Sequence, residues 1–300
     1  MSKEQLNAIL QISAQNPPPP NAGPVQLREW FDASNAQTPV ADGLQVQRIS
    51  IGAMGADLLS TPGADPQKLI IYYHAGGFVF GSARSHRALC SYLSQASGAA
   101  VLSVDYRLAP EHPAPAAHND AYAAYQWALD KGYAANCIAL AGDSAGGNLA
   151  LMTALRARDE GLALPAAIVA FSPALDFAAE GESHRMSDAP LLTRELMDLF
   201  NGAYFQGASL KSASITPLYS DLRGLPPVLL HVGGWELLRD DAITMAARLQ
   251  EANVETELKV WDGMVHCWQL FAPMLDEATQ SLNEAGSFVA QHLKPAPPSA

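Results

Sequence analysis

The sequence predicts an α/β fold, built on a mostly parallel sheet of eight strands with helices on both faces. From residue 46 onward, short runs rich in β-branched residues alternate with helix-length stretches, as strand–helix–strand units with right-handed crossovers do. Several of the short runs are apolar on both faces, which indicates strands covered by helices on two sides. The first two runs alternate more between polar and apolar residues and predict an antiparallel edge.

The predicted elements follow in order along the chain. The strands are Val46–Ile51, Asp57–Thr61, Lys68–Tyr73, Ala99–Val104, Cys137–Ala141, Ala167–Phe171, Val228–Val232 and Thr256–Val260. The helices between and after them are Arg84–Ala96, Ala114–Lys131, Ala145–Asp159, Asp240–Glu251 and Asp276–Leu293. We therefore predict one domain over residues 45–300, preceded by an accessory segment over residues 1–44.

The accessory segment carries two short helices rather than a domain of its own. Leu6, Ile9 and Leu10 fit one face of the first helix, and residues 27–33 predict the second. Four successive prolines at residues 17–20 form a stiff, extended break between them. Neither helix could bury a core alone, so we expect the segment to dock on the rest of the chain.

One long insertion interrupts the alternation, because more than fifty residues without a clear strand separate Phe171 from Val228. Within it, Leu196, Leu199, Phe200 and Tyr204 recur at helical spacing, and Thr193 is a suitable N-cap. Such a helix either packs on the core or forms a lid over a site, since long connections in compact domains are often lids. The periodicity alone favours neither reading.

Composition excludes several classes of function. Apolar residues make up 49% of the chain and the net charge is −12, so a disordered chain and a nucleic-acid partner are both unexpected. The 3 cysteines form no CxxC pair and the histidines show no paired metal spacing, so neither a metal nor an organic cofactor is expected. The polar N-terminus and the lack of a bilayer-length apolar run predict a cytoplasmic protein without integral membrane association.

A strand–turn–helix motif carries the first sign of chemistry. Residues 142–146 read GDSAG, directly after one predicted strand and at the start of a helix. This is the context in which a G-x-S-x-G turn presents a nucleophilic serine, here Ser144, at a helix N-terminus. The segment HAGG at residues 74–77 likewise follows a strand, and it matches loops that offer backbone amides to an oxyanion. Gly76, Gly77 and Ala145 are the predicted donors.

A nucleophilic serine of this kind needs an acid and a histidine, which follow it along the chain in the order serine, acid, histidine. His266 follows the last predicted strand, and three carboxylates follow the strand before it. Asp240 and Asp241 qualify by type but suit the first turn of the next helix, whereas Glu236 lies on the loop itself and is preferred. Cys267 adjoins His266, and we expect its side chain to point elsewhere.

Taken together, the motifs resemble those of the hormone-sensitive-lipase-like family, the bacterial family IV esterases. The matching segments are HAGGF at 74–78, DYRLAPEHP at 105–113, GDSAGG at 142–147, Ser172–Pro173, GLPP at 224–227 and GMVH at 263–266. The resemblance implies an α/β-hydrolase core with a helical cap, made from residues 1–44 and an insertion at about residues 177–214. The apolar face of the first helix would then help wall the acyl channel.

The resemblance also implies hydrolysis of short- to medium-chain acyl esters by Ser144, His266 and Glu236. The family's acid lies about thirty residues before its histidine, which is the interval here. The chain departs from the family at Ala75, where a third glycine is usual, and at Glu236, where aspartate is usual. A lactonase or amidase on the same triad, a non-catalytic small-molecule receptor of the same fold, and a monomer or homodimer all stay open.

Overall fold

A computed structural model describes residues 2–20 and 22–294, and its eight strands form one sheet. The strands are β1 (Gln45–Ile51), β2 (Met54–Ser60), β3 (Asp65–Tyr73), β4 (Ala99–Asp105), β5 (Ile138–Asp143), β6 (Ala167–Phe171), β7 (Val228–Gly233) and β8 (Thr256–Trp261). Their order in the sheet is β1-β2-β4-β3-β5-β6-β7-β8. Strand β2 pairs antiparallel with both β1 and β4, and the pairs from β4 to β8 are parallel. The predicted α/β-hydrolase fold and its antiparallel edge are confirmed.

Helices cover both faces of the sheet. They are α1 (Lys3–Gln15), α2 (Pro24–Asn35), α3 (Arg87–Ser97), α4 (Ala116–Asp130), α5 (Ala145–Asp159), α6 (Arg194–Phe205), α7 (Arg239–Glu251) and α8 (Asp276–His292). Side chains of β3 alternate between two apolar clusters, with Ile71 in the cluster that holds α4, α5 and α7. Ile70 lies in the other cluster, with α3 and α8. This period-2 alternation places one core on each face.

The first helix packs in a different core cluster from the insertion, which corrects the expectation that its apolar face walls the acyl channel. Leu6 and Ile9 are buried in the cluster that contains α8, whereas the insertion's apolar residues lie in the opposite cluster. The Ser2 amide donates to Glu277 Oε1 at 2.7 Å, and the Asp276 amide donates to Gln5 Oε1 at 3.1 Å. The apolar face of α1 is therefore buried in the core cluster that contains α8.

The insertion forms the helix that its periodicity predicted. Thr193 Oγ1 accepts a hydrogen bond from the Leu196 amide and caps α6. Met197, Phe200 and Tyr204 are buried on one face of α6 and join the cluster of α4 and α5. The division into segment 1–44, domain 45–300 and insertion 177–214 stays a prediction, and residues 295–300 of that domain lie outside the described residues.

Within the described residues, no helix combines the length and the apolar character that crossing a bilayer requires.

Candidate active site

Five loops of interest leave the same edge of the sheet. Gly77 follows β3, Ser144 follows β5, Ser172 follows β6, Glu236 follows β7 and His266 follows β8. These strands are parallel neighbours in the sheet, so their carboxyl ends lie side by side. Ligands of open α/β sheets bind at this edge, and the sequence-predicted residues are gathered there.

Ser144 lies at a sharp turn between β5 and α5. Its backbone has φ 54 and ψ −117, a conformation that residues with side chains rarely adopt and that costs about 1–3 kcal/mol. The turn needs glycine on both sides. A Cβ atom added at Gly146 would collide with the Tyr73 carbonyl oxygen, and one added at Gly142 would collide with the Gly146 backbone. The G-x-S-x-G spacing is thus a steric requirement of this turn.

Backbone hydrogen bonds hold the strained serine in place. The Ser144 amide donates to the Phe171 carbonyl oxygen at 2.9 Å, and the Ala174 amide donates to the Ser144 carbonyl oxygen at 3.0 Å. The serine is 7% exposed and precedes the first turn of α5. The amides at that helix end favour negative charge beside the serine.

The loop after β3, residues 74–80, is called the oxyanion loop below. It contains three successive residues with left-handed backbone, Gly76 at φ 119, Gly77 at φ 59 and Phe78 at φ 63. Phenylalanine is costly in this conformation, so neighbouring contacts must hold it. The Phe78 ring stacks on Tyr204 of α6 with centroids 4.1 Å apart, and the Ala109 amide donates to the Phe78 carbonyl oxygen at 2.8 Å.

The three predicted oxyanion donors have unused amides. Among the described residues, none accepts a hydrogen bond from the N–H groups of Gly76, Gly77 or Ala145. A buried N–H group without a partner is costly, and such groups are found where a ligand supplies the acceptor. The arrangement can therefore stabilise an oxyanion.

Glu236 and His266 are brought together by the loops after β7 and β8. Glu236 Oε1 lies 3.4 Å from His266 Nδ1. The carboxylate is fully buried, and its other oxygen accepts hydrogen bonds from Ser172 Oγ at 2.8 Å and from the Gly233 amide at 3.0 Å. Those two donors orient Oε1 toward the imidazole.

Ser172 is a supporting residue to which sequence reasoning assigned no role, although its motif was noticed. Its hydroxyl donates to Glu236 and accepts from the Cys267 amide at 3.2 Å. It therefore links the acid loop to the histidine loop. The only signal in the sequence was the Ser-Pro pair directly after β6.

The two alternative acids lie elsewhere. Asp240 accepts from the Ser183 amide at 2.9 Å, and Asp241 accepts from the amides of Leu175 and Asp176 at 2.9 and 2.8 Å. Asp241 also pairs with His184 at 2.7 Å. Both aspartates tie the insertion to the first turn of α7, and among the described residues neither is hydrogen-bonded to His266.

Cys267 corrects one expectation, because its side chain points toward the site. Its Sγ lies 3.4 Å from His266 Nε2. Burial raises the pKa of this thiol well above its usual value, so it stays protonated. Within the described residues, no hydrogen bond joins Ser144 Oγ to His266, and catalytic hydrogen bonds often tighten only when substrate binds.

A buried polar network lies beneath the nucleophile turn. Asp143 accepts from the Tyr72 hydroxyl at 2.9 Å and contacts His86 at 3.2 Å. Burial alone would raise the pKa of the Asp143 carboxyl, but the His86 imidazole and the Tyr72 hydrogen bond hold it below its usual value. The sequence does not predict this role for His86, since a lone histidine without a motif carries no signal of long-range pairing.

One group could in principle hold a metal ion. Asp176, His184 and Asp241 are buried with ligand atoms within 4.8 Å of one another. His184 Nε2 and Asp241 Oδ1 are already hydrogen-bonded at 2.7 Å, and backbone amides occupy the Asp176 oxygens. These three side chains therefore form a structural hydrogen-bond network.

Comparisons with known proteins agree with this geometry. Residues 70–270 match the family model for the alpha/beta hydrolase fold. An acetyl-hydrolase of Streptomyces hygroscopicus is 39% identical over 230 residues, covering 76% of this chain and 77% of that protein. An esterase of Acinetobacter venetianus is 31% identical over 284 residues, covering 94% of this chain and 93% of that protein.

Solved structures are similar over almost the whole chain. The crystal structure of an esterase from the bacterial hormone-sensitive lipase family has a TM-score of 0.94 at 37% identity, covering 97% of this chain and 99% of that one. A hormone-sensitive lipase from a metagenome library has a TM-score of 0.90 at 34% identity, covering 97% and 99%.

Proposed function

This chain belongs to the hormone-sensitive-lipase-like family of α/β-hydrolases and is a carboxylic ester hydrolase, and on that basis we propose that it cleaves short- to medium-chain acyl esters through an acyl-enzyme on Ser144. The observation that carries this proposal is the pairing of the buried Glu236 with His266, 3.4 Å apart, at the same sheet edge as the strained serine. That arrangement supplies a nucleophile, a base and an orienting acid in one site.

In the first half-reaction, Ser144 Oγ attacks the ester carbonyl carbon. His266 Nε2 takes the hydroxyl proton and then returns it to the leaving alcohol as the carbon–oxygen bond breaks. For this step the imidazole must turn Nε2 from the Cys267 thiol toward the serine. Glu236 accepts from Nδ1–H, which keeps the productive tautomer and stabilises the imidazolium.

The carbonyl oxygen gains negative charge as the tetrahedral intermediate forms. The unused amides of Gly76, Gly77 and Ala145 would bind it, and losing one such donor typically costs about 3–4 kcal/mol of barrier height. Neither glycine could carry a side chain, because a Cβ atom at Gly76 would collide with the Phe80 carbonyl oxygen and one at Gly77 with the Phe200 ring. In the second half-reaction, water activated by His266 hydrolyses the acyl-enzyme and regenerates the serine.

Aromatic residues of α6 pack against the oxyanion loop and favour short to medium acyl chains. Phe200 of α6 lies directly against Gly77, since a Cβ atom added at that glycine would collide with its ring. Tyr204 of α6 stacks on Phe78 one residue further along. Because Phe200 covers the predicted donor Gly77 so closely, little room is left for a long acyl chain beside the carbonyl group of the substrate.

The proposal is tested with p-nitrophenyl acetate, butyrate, octanoate and palmitate, together with a p-nitroanilide and a γ-lactone. We expect the highest kcat/KM for the first three esters and a butyryl adduct that mass spectrometry locates on Ser144 after rapid quenching. Ser144→Ala should lose on the order of 10⁶-fold in kcat, the usual loss for such a nucleophile. Retention of activity within tenfold, or a preference for the anilide or the lactone, would overturn the proposal.

A further inference from the structure

The oxyanion loop is held from outside the sheet by one arginine of the accessory segment. Arg28 lies on α2, and its Nε donates to the Val79 carbonyl oxygen at 2.8 Å. Its Nη2 donates to the Ala109 carbonyl oxygen, also at 2.8 Å. The guanidinium therefore reaches two backbone carbonyls that belong to different loops.

Both of these carbonyls flank the strained part of the loop. Val79 directly follows Phe78, the third of the left-handed residues, and its amide donates to Gly76 at 2.9 Å. Ala109 donates its own amide to the Phe78 carbonyl oxygen at 2.8 Å. Arg28 thus fastens the residue after Phe78 and the residue that binds Phe78, which fixes the loop on two sides.

A carboxylate orients the guanidinium for this task. Glu111 Oε1 and Oε2 accept from Arg28 Nη1 and Nη2 at 3.0 and 2.6 Å. The planar fork of arginine can make all four contacts at once, whereas a lysine ammonium is a single point charge. The pair is partly exposed, so its value lies in geometry more than in stability.

From these contacts, we propose that Arg28 is a positioning residue that holds the Gly76 and Gly77 amides in register with Ala145. The proposal rests on the oxyanion hole described under the proposed function and assigns part of its alignment to the N-terminal segment. A residue in a sparsely populated conformation persists only when its surroundings hold it, and a misplacement of about 1 Å in a catalytic group can cost about 10²-fold in rate.

Other contacts keep α2 docked when Arg28 is changed. Phe31 packs against Phe80 with ring centroids 4.8 Å apart, and Ser82 Oγ donates to Asp32 at 2.6 Å. These contacts do not involve the guanidinium, so removal of the charge should loosen the loop without releasing the helix.

The test compares Arg28→Met, Arg28→Lys and the control Arg194→Met in the full chain. Arg194 lies on α6, where it is exposed and, among the described residues, pairs with Asp198 alone. The readouts are kcat and KM for p-nitrophenyl butyrate, the Ki of phenylboronic acid, which forms a tetrahedral adduct with a nucleophilic serine, and the melting temperature.

We expect Arg28→Met to lower kcat by about 10- to 100-fold with KM changed less than threefold, and to weaken phenylboronic acid by a similar factor. Arg28→Lys should recover part of the loss, and Arg194→Met should match the wild type. A lower melting temperature with kcat and Ki unchanged would overturn the proposal, as would equal effects of Met at positions 28 and 194. A wild type without ester hydrolysis would instead refute the proposed function itself.

Discussion

His86 Nε2 lies 3.2 Å from Asp143 Oδ2, so a fully buried histidine–carboxylate pair lies directly before Ser144 in the chain. The same nitrogen lies 3.2 Å from the Ala75 amide of the oxyanion loop. One imidazole therefore contacts both segments that carry the predicted oxyanion donors, the loop after β3 and the turn after β5. The other ring nitrogen of His86, Nδ1, lies 3.0 Å from Ser85 Oγ.

Replacement of His86 should lower turnover more than it weakens substrate binding. We expect His86→Gln to reduce kcat by about 10-fold and His86→Ala by about 100-fold or more, because glutamine can restore one of the two contacts and alanine leaves Asp143 buried without its partner. Steady-state kinetics with p-nitrophenyl butyrate measure this, with His292→Gln at the end of α8 as the control. Equal kcat values in all three variants would show that the pair serves folding alone.

Glu236 is predicted to be the acid that orients His266. Glu236→Gln should lower kcat by roughly 10³- to 10⁴-fold, since a neutral amide cannot stabilise the imidazolium or hold its tautomer. Asp240→Asn should stay within about tenfold of wild type. Asp241→Asn should mainly lower the melting temperature, because its carboxylate is buried against His184 and two backbone amides. If Asp240→Asn showed the largest loss of kcat, Asp240 and not Glu236 would be the acid.

Phe200 is expected to limit the length of the acyl chain. Its ring lies against Gly77 and within 5.4 Å of the Phe80 ring, centroid to centroid. Phe200→Ala should therefore raise the ratio of octanoate to butyrate kcat/KM by about tenfold. Leu199→Ala is the matched control, because Leu199 is 51% exposed on the same helix. An unchanged ratio in the Phe200 variant would exclude it from the acyl site.

The first helix should contribute to stability and leave acyl selectivity alone. Leu6 is 5% exposed and packs in the core cluster with α8, whereas Ile12 is 66% exposed on the same helix. Leu6→Ala should cost about 2 kcal/mol in the free energy of unfolding, and Ile12→Ala less than about 0.5 kcal/mol. Urea unfolding measures the stability change, and the relative rates for acetate, butyrate and octanoate esters measure the selectivity. If Leu6→Ala changed those relative rates, α1 would line the acyl channel after all.

Buried histidines should make the protein sensitive to mild acid. Burial lowers the pKa of both His118 and His231 to about 4, below the usual value of 6.5. The unfolded chain therefore binds protons that the folded protein excludes, and stability falls as pH decreases from about 6.5 to about 4. Each group contributes roughly 1.4 kcal/mol per pH unit at the steepest part of that window.

The measurement is the free energy of unfolding in urea at intervals between pH 7 and pH 4.5. His231→Gln should flatten the curve, because glutamine can still bind Ser281 as His231 Nδ1 does at 2.9 Å, and it does not titrate. The exposed His112→Gln should keep the wild-type slope. A slope that His231→Gln leaves unchanged would contradict the assignment.

Much of the fold follows from local patterns. All eight strands and the helices α3 to α8 occur where apolar periodicity and caps predict them, with bounds that shift by a few residues. Among the strands, the largest shifts are at β2 and β3, which begin at Met54 and Asp65 because pairing with Ile51 and Ala99 extends them. Partners of this kind are set by the sheet and are not encoded in the strand itself.

The sequence by itself determined the turn at Ser144 and the glycines around it, because the steric limits at Gly142 and Gly146 act over a few residues. Only the tertiary structure decided which carboxylate faces His266, where Cys267 points and that His86 contacts Asp143, 57 residues away. These contacts depend on the relative positions of separate strands and loops. A short sequence motif reports the geometry of its own turn, but distances between loops exist only once the sheet has brought its carboxyl edge together.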